Sequence, residues 1–196
     1  MTSASSSSSN SGPLSGEHLN QISDARKRAK KILRAAGMAW LSGWSMAVFA
    51  ALSLAFAFMS DWSAWTIGIG LAVCAANELR GGAMLKGMNP RGASILGWNQ
   101  VFLGVLIVAY ALWSLYSTSK SPALASLAQG TGDPGIDAMA KELTTVVTWA
   151  LYGTMVVVGF VVPGLTAIYY FTRGPLVTAF RRETPDWVLE VIRRGA

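Results

Sequence analysis

The sequence is poor in the residues that most often carry chemistry or cross-links. It has one cysteine, Cys74, and one histidine, His18, among 196 residues. A disulfide framework needs paired cysteines, and a zinc finger or a c-type haem site needs cysteines and histidines at short spacing, so all three are excluded. Charge is equally scarce. Asp, Glu, Lys and Arg make up 13% of the chain, against about 25% in an ordinary soluble domain, and too few ionisable groups remain to cover a water-facing surface. With 52% hydrophobic residues the chain is not a disordered one either.

What is abundant is uninterrupted apolar sequence. Four charge-free stretches run from Ala35 to Met59, Trp62 to Asn77, Gly92 to Ser117 and Leu143 to Thr172. Roughly 20 apolar residues cross the ~30 Å hydrocarbon core. The first, third and fourth stretches meet this, and the second does so when Glu78 and Leu79 sit at headgroup level. The expected fold is all-α, an integral membrane four-helix bundle with spans at about 35–59, 62–79, 92–117 and 143–172. Ala55-Phe56-Ala57 has the form of a signal-peptidase site, but 34 residues precede the first apolar run and that run is longer than a signal peptide's core.

The few charges are arranged by side. Lys and Arg accumulate on cytoplasmic segments near the ends of spans. Six lie before the first stretch (Arg26 to Arg34), three between the second and third (Arg80, Lys86, Arg91), and five after the fourth (Arg173, Arg181, Arg182, Arg193, Arg194). Only Lys120 and Lys141 fall on the opposite side. Both termini are therefore expected in the cytoplasm, with an outer loop at 118–142, in a plasma membrane of bacterial inner-membrane type. The net charge of +6 becomes a basic cytoplasmic face whose expected partner is anionic lipid, not nucleic acid.

Organisation outside the spans follows from pattern. Residues 1–17 are Ser-rich and read as a disordered tail. In 18–34, Leu19, Ile22, Ala29 and Leu33 recur at helical spacing among basic residues, predicting an amphipathic juxtamembrane helix suited to an anionic leaflet. His18, outside the membrane, reads as solvated. The outer segment, with Pro122 and a Gly-rich run from Gly130 to Gly135, reads as a loop. In the tail at 173–196, Thr184-Pro185-Asp186 opens a second interfacial helix with Trp187 as its anchor.

Two features point to helix contacts. Ala39, Gly43, Ala47, Ala51 and Ala55 are small and spaced by four, and Ala64, Gly68, Ala72 and Ala76 repeat the device. Small residues let helix backbones approach closely in lipid, so the two stripes are expected to face each other or a second protomer. Pro163-Gly164 is expected to kink the fourth helix and free a carbonyl one turn earlier.

The candidate site is a polar cluster of Asn77, Glu78, Arg80, Asn99 and Gln100, with Arg91 as an alternative cation. Amides and a carboxylate at this depth need partners, because unpaired polar groups in hydrocarbon cost several kcal/mol. Such a cluster serves as a structural clasp, as a ligand or partner site, or as a proton- or cation-coupled transport site. No protease, hydrolase, nucleotide-binding or haem motif is present, and no catalytic, cofactor or metal residues are expected. The sequence thus predicts a non-enzymatic membrane scaffold or accessory subunit, possible in a homo-oligomer or larger complex. The alternative is a small oligomeric transporter or channel using Glu78, Asn99 and Gln100.

Overall fold

The computed structural model describes residues 15–58, 62–119 and 133–195, and all regular structure among them is helical. The helices are α1 (Gly16–Ala57), α2 (Trp62–Lys86), α3 (Pro90–Ser119), α4 (Pro134–Phe171), α5 (Arg173–Glu183) and α6 (Asp186–Arg194). Residues 59–61, between the first two apolar stretches, most of the N-terminal tail and most of the outer loop lie outside the described residues.

The long helices pack in chain order: α1 on α2, α2 on α3, and α3 on α4. Three helical stretches, Gly16–Ala57, Arg91–Thr118 and Gly135–Glu183 (which joins α4 to α5), have the length and apolar composition to cross a membrane. They turn large apolar side chains outward. Phe160 is 75% exposed, Leu165 64% and Phe49 62%, a distribution that lipid accommodates and water does not. The protein is a helical membrane protein on these grounds. Helix α2 is long enough but less apolar, because Asn77, Glu78, Arg80 and Lys86 occupy its second half. Being packed between α1 and α3, it presents less of its surface to lipid.

Small residues set the close approaches, but not as two matched stripes. Each i+4 step turns a residue by about 40° beyond a full turn, so a strict series drifts by about 160° over four steps. Accordingly Ala39 and Gly43 are buried, Ala47 is half-buried, and Ala51 and Ala55 are exposed. In α2, Gly68 is buried, Ala64 and Ala72 are half-buried, and Ala76 is exposed. The buried line of α1 alternates steps of four and three instead: Ala25, Ala29, Ile32, Ala36, Ala39, Gly43, then Ala50 and Ala57. That heptad-like seam stays on one side of the helix. Gly43 lies under Leu79 and Gly68 under Leu54, so each stripe meets a leucine rather than the other stripe.

Three boundaries differ from expectation. First, α4 begins at Pro134, inside the segment read as loop, because Asp133 caps it by accepting from the Gly135 N–H at 2.9 Å, with Pro134 following and Asp137 in the first turn. Second, α1 continues from Gly16 into the apolar stretch without a break. A helix that crosses a bilayer does not also lie along its surface, and the apolar side of residues 25–36 is covered by α5 and α6 instead. Third, Trp187, expected as a membrane anchor, packs on another part of the chain. Its ring meets His18 edge-on at 5.2 Å, and His18 stands about 25 Å up α1 from Ala35 at 1.5 Å per residue. His18 is exposed, yet it also completes the cap of α1 with Ser15.

The result is a helical cap: the first half of α1, the α2–α3 turn, α5 and α6 around Ile32, Leu85, Met88, Val177, Phe180, Val188 and Ile192. The turn is a Schellman closure, with Asn89 N–H on Met84 O and Met88 N–H on Leu85 O, both at 2.9 Å. Met88 takes the left-handed position at φ 56°. Asn89 then caps α3 through the Arg91 N–H at 3.0 Å. On α6, the Arg194 bond and the nearby Arg193 hold the Glu190 carboxyl below the usual carboxylate range.

Helix α4 passes through Pro163 as one continuous helix. The carbonyl that proline leaves without its helical donor belongs to Gly159, and Gly104 of α3 packs there: a Cβ on Gly104 would lie 3.0 Å from that oxygen. The expected free carbonyl thus becomes the point where α3 and α4 touch.

Candidate functional site

The chemistry of the described residues concentrates on Glu78. It is fully buried, near the C-terminal end of α2. Asn99 and Gln100 project from the third turn of α3 and meet it: Asn99 Nδ2 donates to Glu78 Oε2 at 2.7 Å and Gln100 Nε2 to Oε1 at 3.1 Å. From α4 the Tyr170 hydroxyl donates to Oε1 at 3.2 Å. The Ser42 hydroxyl of α1 interacts with the same carboxylate. One side chain of α2 therefore gathers groups from each of the other three long helices.

Three of the five residues expected in this cluster are brought together, Glu78, Asn99 and Gln100. Asn77 is half-buried one residue away and turned about 100° around α2, into a shallow groove of about 340 Å³ that it lines with Ser94, Trp98 and Asn99. Arg80 is exposed, since two residues rotate it by about 200° from Glu78. Arg91 is exposed as well, and no ion pair to Glu78 is found among the described residues. The carboxylate is held by neutral donors alone. Tyr170 was not expected here. Its place as the penultimate residue of α4, the helix packed on α3, was the available signal, but a tyrosine at the end of an apolar run has an ordinary interfacial explanation.

The amide of Asn99 has one usable orientation. Its Nδ2 also donates to the Cys74 carbonyl at 3.0 Å, so a flipped amide would set oxygen against two acceptors. As placed, Asn99 Oδ1 is buried without a hydrogen-bond partner among the described residues. Cys74 is buried and free and lies one turn from Glu78. Among the described residues no three His, Cys, Asp or Glu side chains come together as a metal site.

Chemically this arrangement holds helices together at one level. Both carboxylate oxygens are engaged, each by an amide and one by a phenol as well, and the Glu78 side chain is fully buried. Comparison with protein-family models, curated proteins and solved structures finds no match for this chain. The functional reading therefore rests on the geometry.

Proposed function

We propose that the protein is a four-span, non-enzymatic scaffold or accessory subunit of a membrane complex, with both termini and the helical cap on the cytoplasmic side of a plasma membrane. The observation that carries this reading is the enclosure of Glu78. Its hydrogen bonds are spent on α3 and α4, which is what a clasp requires and leaves no open face for a solute. The cap supports the same role. Arg26, Lys30 and Arg34 stand on one side of α1 and form no ion pair among the described residues, next to Leu33, Val191 and Ile192, a basic surface for anionic lipid or an acidic partner segment. The apolar outer face of α4 leaves room for a neighbouring subunit.

The second reading, a small oligomeric transporter, is favoured by one feature: a buried carboxylate without a cation, beside the unpaired Asn99 Oδ1. The two separate experimentally. Crosslinking and purification from the native membrane is expected to recover a stoichiometric partner, and E78Q in proteoliposomes is expected to leave ion flux unchanged. Flux that depends on Glu78, with no partner recovered, would replace the scaffold by the transporter.

A further inference from the structure

Helices α2 and α4 both lie on α3 and come together at the Glu78–Tyr170 bond. Toward the other end of α3 they part around a cavity of about 770 Å³. The closest approaches lie below it: Gly70 under Leu106, Gly159 under Ile107, and Gly104 against Pro163. Leu106 forms the floor. Above it the walls are Trp62 and Thr66 of α2, Tyr110, Trp113 and Ser114 of α3, and Tyr152 of α4. Tyr110 lies about 15 Å along α3 from Gln100, so the cavity occupies the half of the apolar layer opposite the cap.

Two properties of the lining define what fits. None of the lining residues is charged, so a charged group buried there would lack a counter-charge and be rejected. Hydroxyls are nevertheless plentiful. Tyr110, Tyr152 and Ser114 are half-buried and make no hydrogen bonds to other described residues. On α3, Tyr110, Ser114 and Ser117 follow one another at steps of four and three, a column of donors facing the cavity. Donors without acceptors at hydrocarbon depth call for an acceptor, and Trp62, Trp113, Tyr110 and Tyr152 offer flat apolar walls beside them. The volume is that of a pocket for a medium-sized organic molecule.

We infer that this cavity is a binding site for an uncharged lipid, whose ester or carbonyl oxygens accept from Tyr110, Tyr152 and Ser114 while its chains leave between α2 and α4. This goes beyond the scaffold reading and does not depend on it. The clasp fixes the narrow end, and the lipid fills the wide one.

The test uses the full chain in vesicles of phosphatidylcholine carrying a trace of diacylglycerol with a photoactivatable chain. Crosslinked peptides are expected from residues 106–117 of α3 and from around Tyr152, with labelling that saturates and is competed by unlabelled diacylglycerol. Tyr110→Phe and Tyr152→Phe, which keep the ring and remove the hydroxyl, should each raise the competing concentration by about fivefold. Ala109→Trp, at the cavity wall, should abolish the labelling, and the two isosteric variants keep the test valid if it fails to fold. Labelling spread without saturation over the outer faces of α1 and α4 means annular lipid only and overturns the proposal. Equal labelling of these positions by a photoactivatable phosphatidylcholine overturns the assignment of an uncharged headgroup.

Discussion

A buried carboxylate with no cation beside it is held in place only by the completeness of its donors, and this makes Glu78 sensitive to substitution. Glu78→Ala leaves the Asn99 amide with one partner and strands the Gln100 amide and the Tyr170 hydroxyl. Each stranded group costs about 1–3 kcal/mol, so the variant should lose several kcal/mol in reversible unfolding from mixed micelles. Tyr170→Phe removes a single 3.2 Å bond and its donor together. The loss should be about 1 kcal/mol, and the same titration reads the difference between the two. Equal losses would mean that the cluster does not act as a unit. Glu78, Asn99 and Gln100 were legible in the sequence because polar residues at the edge of apolar runs must find one another. Arg80 was misplaced by treating sequence proximity as spatial proximity, and Tyr170 was missed because a tyrosine near a membrane boundary has an ordinary explanation.

Among elements, contact is decided by where backbone meets backbone. At Gly92, at the start of α3, an added Cβ would lie 2.7 Å from the Gly81 carbonyl oxygen and 2.9 Å from the Leu85 amide nitrogen. Neither can rotate away as a side chain can. Gly92→Ala should therefore push α3 from α2 and cost about 1–3 kcal/mol. Gly153, in α4, has nothing within 4 Å of the added atom, so Gly153→Ala should gain up to about 1 kcal/mol from helix propensity alone. Opposite signs in thermal unfolding of the two variants are the expected result. Met88 poses a different contest at the turn between the same helices. Met88→Gly would relieve a left-handed backbone worth about 1–2 kcal/mol, yet it removes a side chain that is only 4% exposed, worth about 2–5 kcal/mol. Burial wins, and the variant should unfold more easily. The spans could be read from apolar length, but the small-residue stripes could not be read as contacts, since period four drifts off the interface that α1 keeps with its alternating steps.

At the scale of the whole molecule, the heptad-like seam of α1 links the cap to the apolar helices: Ala25, Ala29 and Ile32 serve the first, and Gly43, Ala50 and Ala57 the second. An amphipathic helix patterned for a leaflet and one patterned for neighbouring helices look alike in sequence, which is why the cap was not legible. If α1 passes straight from cap to bilayer, residue 15 and residue 133 have fixed sides, and the lone cysteine makes this testable. Cys74 is fully buried, so the native chain should not react with a membrane-impermeant maleimide until it is denatured. Single cysteines introduced by Ser15→Cys and Asp133→Cys, both at exposed positions, then report one side each. In intact spheroplasts the second should label and the first should not; in inverted vesicles the order should reverse. An even number of crossings puts both chain ends on one side, so a third variant, Arg194→Cys at the exposed end of α6, should follow Ser15→Cys in both preparations. Arg194→Cys labelling together with Asp133→Cys would leave α4 outside the bilayer, and the cap, which packs α6 on α1, could not then form within a single chain.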